Sequence, residues 1–308
     1  LGTGFKTIIM NIAVYGGSGF VGKNLIQSRL INAEVQVISL RNTSWKEAAG
    51  WADIMINLVG KAHDHKGTAT EKDYSFANVE LVKEIFDTFI KSDARLLIHV
   101  SSIAAVEEFE SEEPLKEDSI CNPVSLYGKT KRQAEEWLLA QMLPENKKVI
   151  ILRPSMIHGP GDKGNLGLLY KIISKGLPYP LASFDNSRSF LSIDNFNFFI
   201  SEIIKNENKI KTGIYHICDD EPVSTKDIIT IIKKVTNKKT INLSVPKIFI
   251  QGLAKTGDVL PLPINTKRLK KMTGSLLVSN EKIKNTLKIT DLPVSAKQGL
   301  EKTIKSFS

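Results

Sequence analysis

The chain has 308 residues and a net charge of +9, with 42 Lys and Arg against 33 Asp and Glu. That length can bury a sizeable core in one large or two closely joined domains. No apolar run approaches the roughly 18–20 residues of a membrane-spanning helix, so no integral membrane segment is expected. Cys121 and Cys218 lack metal-ligand spacing and read as reduced thiols. No metal site is expected. Many of the lysines fall late, as at Lys233, Lys234, Lys270 and Lys271, without interleaved aromatics. They read as a solvated basic surface, not a nucleic-acid site. Such a surface can attract a doubly charged small molecule or an anionic membrane. Residues 1–9 lack a secretory cleavage pattern and read as an extension ahead of a start at Met10, with a cytoplasmic location expected.

Asn11 to Tyr15 is a short apolar run and reads as a buried parallel strand. Gly16-Gly17-Ser18-Gly19-Phe20-Val21-Gly22 follows, and Val21, Leu25, Ile26 and Leu30 then recur at helical spacing. Strand, glycine turn and helix are the context a dinucleotide site requires. Gly16 can turn with positive φ, Gly19 lets the backbone approach a pyrophosphate, and Gly22 permits close helix packing. The helix N-terminus offers unpaired N–H groups to phosphate.

A second strand is expected over Val35 to Leu40, followed by Arg41 and no nearby acid. An acid there would receive the ribose hydroxyls of NAD; a guanidinium favours the 2′-phosphate of NADP instead. NADP is the expected cofactor, with NAD the alternative. Only Asn42 to Ala52 separates this strand from the next, Asp53 to Val59. The gap suits one short helix around Trp45 to Trp51. His63 and His65 then lie in a loop, Lys61 to Gly67, where substrate contact or a solvated loop is expected rather than metal binding.

Leu96 to Val100 reads as a central strand ending in Ser101-Ser102. Ligands of open α/β sheets bind at such carboxyl ends. Tyr127 and Lys131 are four apart and share one helix face. An ammonium beside a phenol favours the phenolate, so the pair can exchange a proton with a carbonyl or hydroxyl. Further strands are expected at 148–153 and at Ile214 to Cys218, with a helix around Phe196 to Lys205 and another capped by Ser224 or Thr225. The fold class is α/β: a Rossmann-type doubly wound parallel sheet with a smaller C-terminal substrate lobe. The expected boundaries are 10–162 and 188–218 for the dinucleotide-binding domain, and 163–187 and 219–308 for the lobe.

These strings together resemble the extended short-chain dehydrogenase/reductases, in their nucleotide-sugar epimerase/dehydratase group. The resemblance extends to Asn78-Val79-Glu80, to Leu152 through Asp162 and to Arg188 through Asn195. Lys163 to Leu169, Lys175 to Leu181, Asn186 to Ser189 and Thr273 to Val278 are similar to a branch of UDP-4-keto-sugar reductases, which includes UDP-N-acetylquinovosamine producers. By that resemblance, Ser102, Tyr127 and Lys131 are catalytic. Cofactor contacts are implied at Gly16, Gly19, Phe20, Val21, Gly22, Arg41, Leu58, Gly60, Asn78, Tyr127, Lys131 and Pro154. Ser102, Asn165 and Arg188 are implied to hold the UDP-sugar, and a homodimer is a further expectation.

Departures from the family pattern carry information. Ile103 and Ala104 stand where the dehydratases keep an acidic pair, so dehydration is not expected. His158 replaces a tyrosine, and Met156 replaces a polar residue. The short gap after Arg41 implies a missing or vestigial third strand. The expected activity is NADPH-dependent reduction of a UDP-linked 4-keto-6-deoxy sugar in surface polysaccharide biosynthesis. A UDP-hexose 4-epimerase with tightly held NAD is the enzymatic alternative. A non-catalytic dinucleotide sensor or scaffold is the other.

Overall fold

The computed structural model describes residues 10–29, 33–42, 44–62, 68–162, 164–177, 179, 181, 183–238, 245–260 and 265–307. Its elements run β1 (Met10–Tyr15), α1 (Phe20–Ser28), β2 (Ala33–Ile38), β3 (Ile54–Asn57), α2 (Glu71–Ser75), α3 (Leu81–Lys91), β4 (Leu96–Val100), α4 (Leu126–Leu139) and β5 (Lys148–Pro154). They continue through β6 (Met156–His158), α5 (Asn165–Ser174), β7 (Phe190–Ser192), α6 (Ile193–Lys205), β8 (Gly213–Ile217), α7 (Thr225–Thr236), α8 (Lys247–Thr256), α9 (Thr266–Thr273), α10 (Glu281–Leu287) and α11 (Ala296–Lys305).

The chain divides into two compact units. The first takes residues up to 105, 125–153 and 199–215; the second takes 106–124, 154–198 and the chain from 216 onward. The second unit therefore includes 106–124, 154–162, 188–198 and 216–218, which the sequence reading assigns to the dinucleotide-binding domain.

The first unit is built on a sheet of six strands in the order β2-β1-β3-β4-β5-β8. β1 pairs in parallel with β2 and β3, and β4 pairs in parallel with β3 and β5. Parallel strands covered on both faces read as continuous apolar runs, and Ile54–Asn57 and Leu96–Val100 are buried throughout. One face packs on Val82, Phe86 and Phe89 of α3 and on Ala134 and Leu138 of α4. The second strand runs two residues earlier than expected, at Ala33–Ile38, and Arg41 lies in the turn beyond it.

No strand lies between β2 and β3 among the described residues, and β2 forms the rim of the sheet. The expected short helix is a single 3-10 turn at Glu47–Ala49. Trp45, two residues before that turn, packs into the core cluster of the sheet. It is buried, with its ring edge-on to Tyr15 at 5.7 Å.

The second unit pairs β6 with β7 in parallel. Its core joins Phe190, Ile228, Ile232, Leu269, Leu300 and Ile304. α7 starts at Ser224, whose hydroxyl accepts from the Asp227 amide while Asp227 returns the bond, forming a capping box. α6 begins three residues before its expected start.

Candidate active site

The glycine turn follows directly from β1. Gly16 has φ 80°, a conformation that favours glycine, and its carbonyl accepts from the Gly19 amide at 3.1 Å. A Cβ on Gly22 would lie 2.5 Å from Gly16 O and from Gly17 Cα. Gly22 thus lets the helix close onto the turn itself rather than onto the strand. α1 starts at Phe20 with no side-chain cap and no acid in its first turn. Its first N–H groups therefore suit an anion. This glycine cradle fits a dinucleotide pyrophosphate.

The second wall of the site is the end of β3. Leu58 donates its amide to Tyr15 O at 3.0 Å. Asn57 is buried, accepts from the Val59 amide at 2.9 Å through Oδ1, and contacts His99 Nδ1 through Nδ2 at 3.1 Å. Its amide nitrogen donates, so His99 carries its proton on Nε2. That atom is buried without a partner among the described residues. Burial, and secondarily Lys131, hold the His99 pKa well below its ordinary value, so the ring is neutral.

Asn78 lies in a π-helical turn, Phe76–Glu80, between α2 and α3 and is fully buried. Its Oδ1 accepts from the Lys61 amide at 2.8 Å, and its Nδ2 donates to Lys61 O and to Thr130 Oγ1. It ties the β3 turn to α4. A Cβ on Gly60 would come within 2.9 Å of Lys131 Nζ and 3.2 Å of Asn78 Oδ1. Gly60 is thus small because two polar groups converge on it.

α4 carries Tyr127 and Lys131. Ser125 caps it, accepting from the Gly128 amide at 3.1 Å. Tyr127 is half-buried in the first turn. Lys131 lies one turn further along the same face. Its side chain is buried, and its ammonium donates to Val100 O at 2.9 Å and to Val59 O at 3.5 Å. Burial lowers its pKa to about 8 while Glu135 opposes the shift, so the group keeps its proton at pH 7.

Ser102 follows β4 and opens a 3-10 turn, Ile103–Ala105, against which α4 packs. Its Oγ accepts from the Ala104 amide at 3.2 Å, which leaves its hydroxyl proton free to point elsewhere. Ile103 is buried, as an apolar residue there would be. The structure thus brings Ser102, Tyr127 and Lys131 to one helix-and-turn assembly in the first unit.

Sequence reasoning missed the support beneath them. Glu135 is fully buried and lies one further turn along the face of Tyr127 and Lys131. It accepts from Ser101 Oγ at 2.5 Å and from Arg153 Nε and NH2 at 2.9 and 2.7 Å. The four-residue spacing of Tyr127, Lys131 and Glu135 was the available signal.

Other expected residues stand apart. Arg41 is exposed beyond β2, and Pro154 is buried at the end of β5. Asn165 opens α5; its side chain, His63 and His65 lie outside the described residues. Arg188, in the second unit, donates through NH1 to the carbonyls of Phe109, Lys271 and Gly274. That nitrogen braces backbone segments. His158, also in the second unit, is buried, with Nδ1 2.9 Å from Thr303 Oγ1. Among the described residues no cluster of His, Cys, Asp or Glu could hold a metal ion, and no helix is long and apolar enough to cross a membrane.

A family profile described as the NAD dependent epimerase/dehydratase family matches residues 12–218. This chain belongs to the NAD-dependent epimerase/dehydratase family. Family members of this kind are enzymes, and so is this chain; the cofactor is a nicotinamide dinucleotide. It is 26% identical to a "UDP-glucose 4-epimerase" of Vibrio cholerae over 99% of this chain and 98% of that one. It is 22% identical to an N-acetyl-α-D-glucosaminyl-diphospho-ditrans,octacis-undecaprenol 4-epimerase of Escherichia coli O157:H7, over 96% and 94%. UDP-glucuronic acid 4-epimerase of Bacillus cereus, solved with NAD, superposes with a TM-score of 0.75 at 18% identity, covering 97% of this chain and 98% of that one. RMD of Pseudomonas aeruginosa, solved with NADPH, superposes at 0.73 and 17% identity, covering 97% and 98%. The family and these structures agree on the Rossmann-type fold.

Proposed function

We propose that this protein is an NADPH-dependent reductase of a UDP-linked 4-keto-6-deoxy sugar, with a place in surface polysaccharide assembly. The observation that carries this reading is the rim position of β2 with exposed Arg41 just beyond it. No strand covers that flank among the described residues. A site open there suits a cofactor that is exchanged at each turnover, and a guanidinium there suits a 2′-phosphate.

A reduced nicotinamide held there would supply the hydride for the C4 carbonyl carbon. Tyr127 gives its phenolic proton to the oxygen of that carbonyl, so the C=O π bond becomes C–H and O–H. Ser102 donates a hydrogen bond to the same oxygen and fixes its direction. Lys131 places an ammonium near the phenol and stabilises the phenolate left behind. Gly16, Gly19, Phe20, Val21 and Gly22 hold the pyrophosphate, while Leu58, Gly60, Asn78 and Pro154 shape the rest of the cofactor site. In this reading Asn165 and Arg188 are the candidates for holding the substrate diphosphate. Ile103 and Ala104 supply no acid or base for eliminating water.

A second reading is 4-epimerisation of a nucleotide-linked hexose on one retained cofactor. The curated relatives from V. cholerae and E. coli, both named as 4-epimerases, favour it. The deciding experiment incubates purified protein with a UDP-4-keto-6-deoxy-N-acetylhexosamine and NADPH or NADH, following absorbance of the reduced cofactor. Consumption of NADPH in step with product supports the reductase. Interconversion of UDP-hexoses with no added cofactor, and NAD released on denaturation, supports the epimerase and rejects the reductase.

A further inference from the structure

The second unit carries a surface that the acid/base chemistry does not use. α8 has two apolar faces. Ile250 and Ala254 turn inward and join Leu269 of α9 in the core. Ile248, Phe249 and Leu253 fall on the other side, within an arc of about 140° at 3.6 residues per turn. They are 73%, 69% and 49% exposed. The turn after α8 adds Val259 and Leu260, 87% and 53% exposed. Single exposed apolar residues need no explanation, but five on one helix face and the turn that continues it form a patch.

The segment that carries this patch is mostly basic. Residues 245–274 hold six basic residues, including Lys255, Lys267 and Arg268, and a single acid, Asp258. Asp258 accepts from the amide and hydroxyl of Thr266, so its carboxylate is engaged in joining the α8 turn to the start of α9. α8 and α9 pack together, so Lys267 lies on the helix next to the one that carries the apolar face. Lys270 and Lys271 reach Glu110 and Glu108 at 3.7 and 3.2 Å, while Lys255 and Lys267 form no ion pair among the described residues.

Apolar side chains flanked by lysines match the interface of an anionic bilayer. The former enter the boundary between headgroup and acyl chain, and the latter meet lipid phosphates. A second copy of this chain fits less well. A twofold contact through this face would set two like-charged helix pairs against each other. We propose that the α8–α9 face docks reversibly on an anionic phospholipid membrane. This placement does not depend on which sugar the site takes.

The test is co-sedimentation of the full chain with vesicles of phosphatidylcholine, alone or with roughly one-third phosphatidylglycerol, at low salt and at about 0.5 M salt. The expected result is binding to the anionic vesicles only, reduced about fivefold or more by the higher salt. The double variant Phe249→Ser/Leu253→Ser and the double variant Lys255→Glu/Lys267→Glu should each lose binding by a similar factor. All four side chains are exposed, so melting temperature should hold and verifies the fold. No binding to anionic vesicles, or binding that both double variants retain, overturns the proposal. So does light scattering that shows a dimer which Phe249→Ser/Leu253→Ser converts to monomer, because a second copy would then cover the face.

Discussion

Arg153 and Glu135 form a fully buried, two-pronged ion pair, with Nε and NH2 of the arginine 2.9 and 2.7 Å from the two carboxylate oxygens. Arg153 comes from β5 and Glu135 from α4, and the same carboxylate accepts from Ser101 beside Ser102. The pair therefore fixes α4 to the strand ends below it. Two parallel charge-assisted bonds hold that alignment better than one.

Removing one member strands the other. Arg153→Leu should destabilise the protein by about 3–5 kcal/mol, because it leaves the buried Glu135 carboxylate with only the longer 3.6 Å ion pair to Arg132. The double variant Glu135→Met/Arg153→Leu should recover part of that loss, because neither member of the pair is left buried alone, while Lys131 loses the carboxylate that supports its charge. Urea unfolding of the three proteins checks this. If the double variant is no more stable than Arg153→Leu, the pair is not the source of the cost.

Tyr127→Phe should lower turnover by roughly 10²–10⁴, the usual contribution of a positioned acid or base. The pyrophosphate cradle is built from Gly16 to Gly22 on another element, so dinucleotide affinity should fall far less than turnover, by about tenfold at most, or 1.4 kcal/mol. Single-turnover kinetics and fluorescence titration of the cofactor measure the two quantities separately. Full turnover in this variant would remove Tyr127 from the chemistry.

Lys131 gives a stability signature in alkali. Burial holds its folded pKa near 8, against 10.5 for an ordinary lysine. Between those values the unfolded chain binds the extra proton, so this group makes stability rise with pH from about 8 upward. Burial raises the Tyr15 phenol above its ordinary 10.0, which makes stability fall above that pH. The useful window is therefore pH 8 to 10. Across it, the stability of the wild-type protein relative to Lys131→Met should grow by on the order of 2–3 kcal/mol. Urea midpoints at several pH values would show it; parallel curves for the two proteins contradict the assignment.

Arg41→Ala should weaken NADPH by roughly 10–100-fold, the value of charge-assisted bonds to a phosphate, and leave NADH nearly unchanged. KM ratios for the two cofactors report this directly. Equal losses for both would place the arginine away from the 2′-phosphate.

Part of this architecture was readable from residue order. Strand, glycine turn and helix announced the cradle, and the Ser224 cap announced the start of α7. The gap after Arg41 announced the absent strand, because eleven residues cannot hold a further strand and helix. Other features have no periodic signature. Lys147 looks like a surface lysine in sequence, yet its ammonium is buried among the carbonyls of Phe89, Ser92 and Ala94. Arg153 lies inside an apolar strand, and only the tertiary approach of Glu135 makes it tolerable there. His99 meets Asn57 from 42 residues away. Hydrophobic patterning says which face is covered, but not which charged groups find partners beneath it.

The rim position of β2 also bears on self-association. Its outer backbone N–H and C=O groups have no strand to pair with among the described residues, and an unpaired border of this kind can recruit a stray chain. Glu34 and Gln36 are exposed along it, and the strand is only six residues long. A brief border with a carboxylate and an amide resists such recruitment. Replacing Glu34 and Gln36 with valine would turn the economy of one missing strand into a nucleus for aggregation.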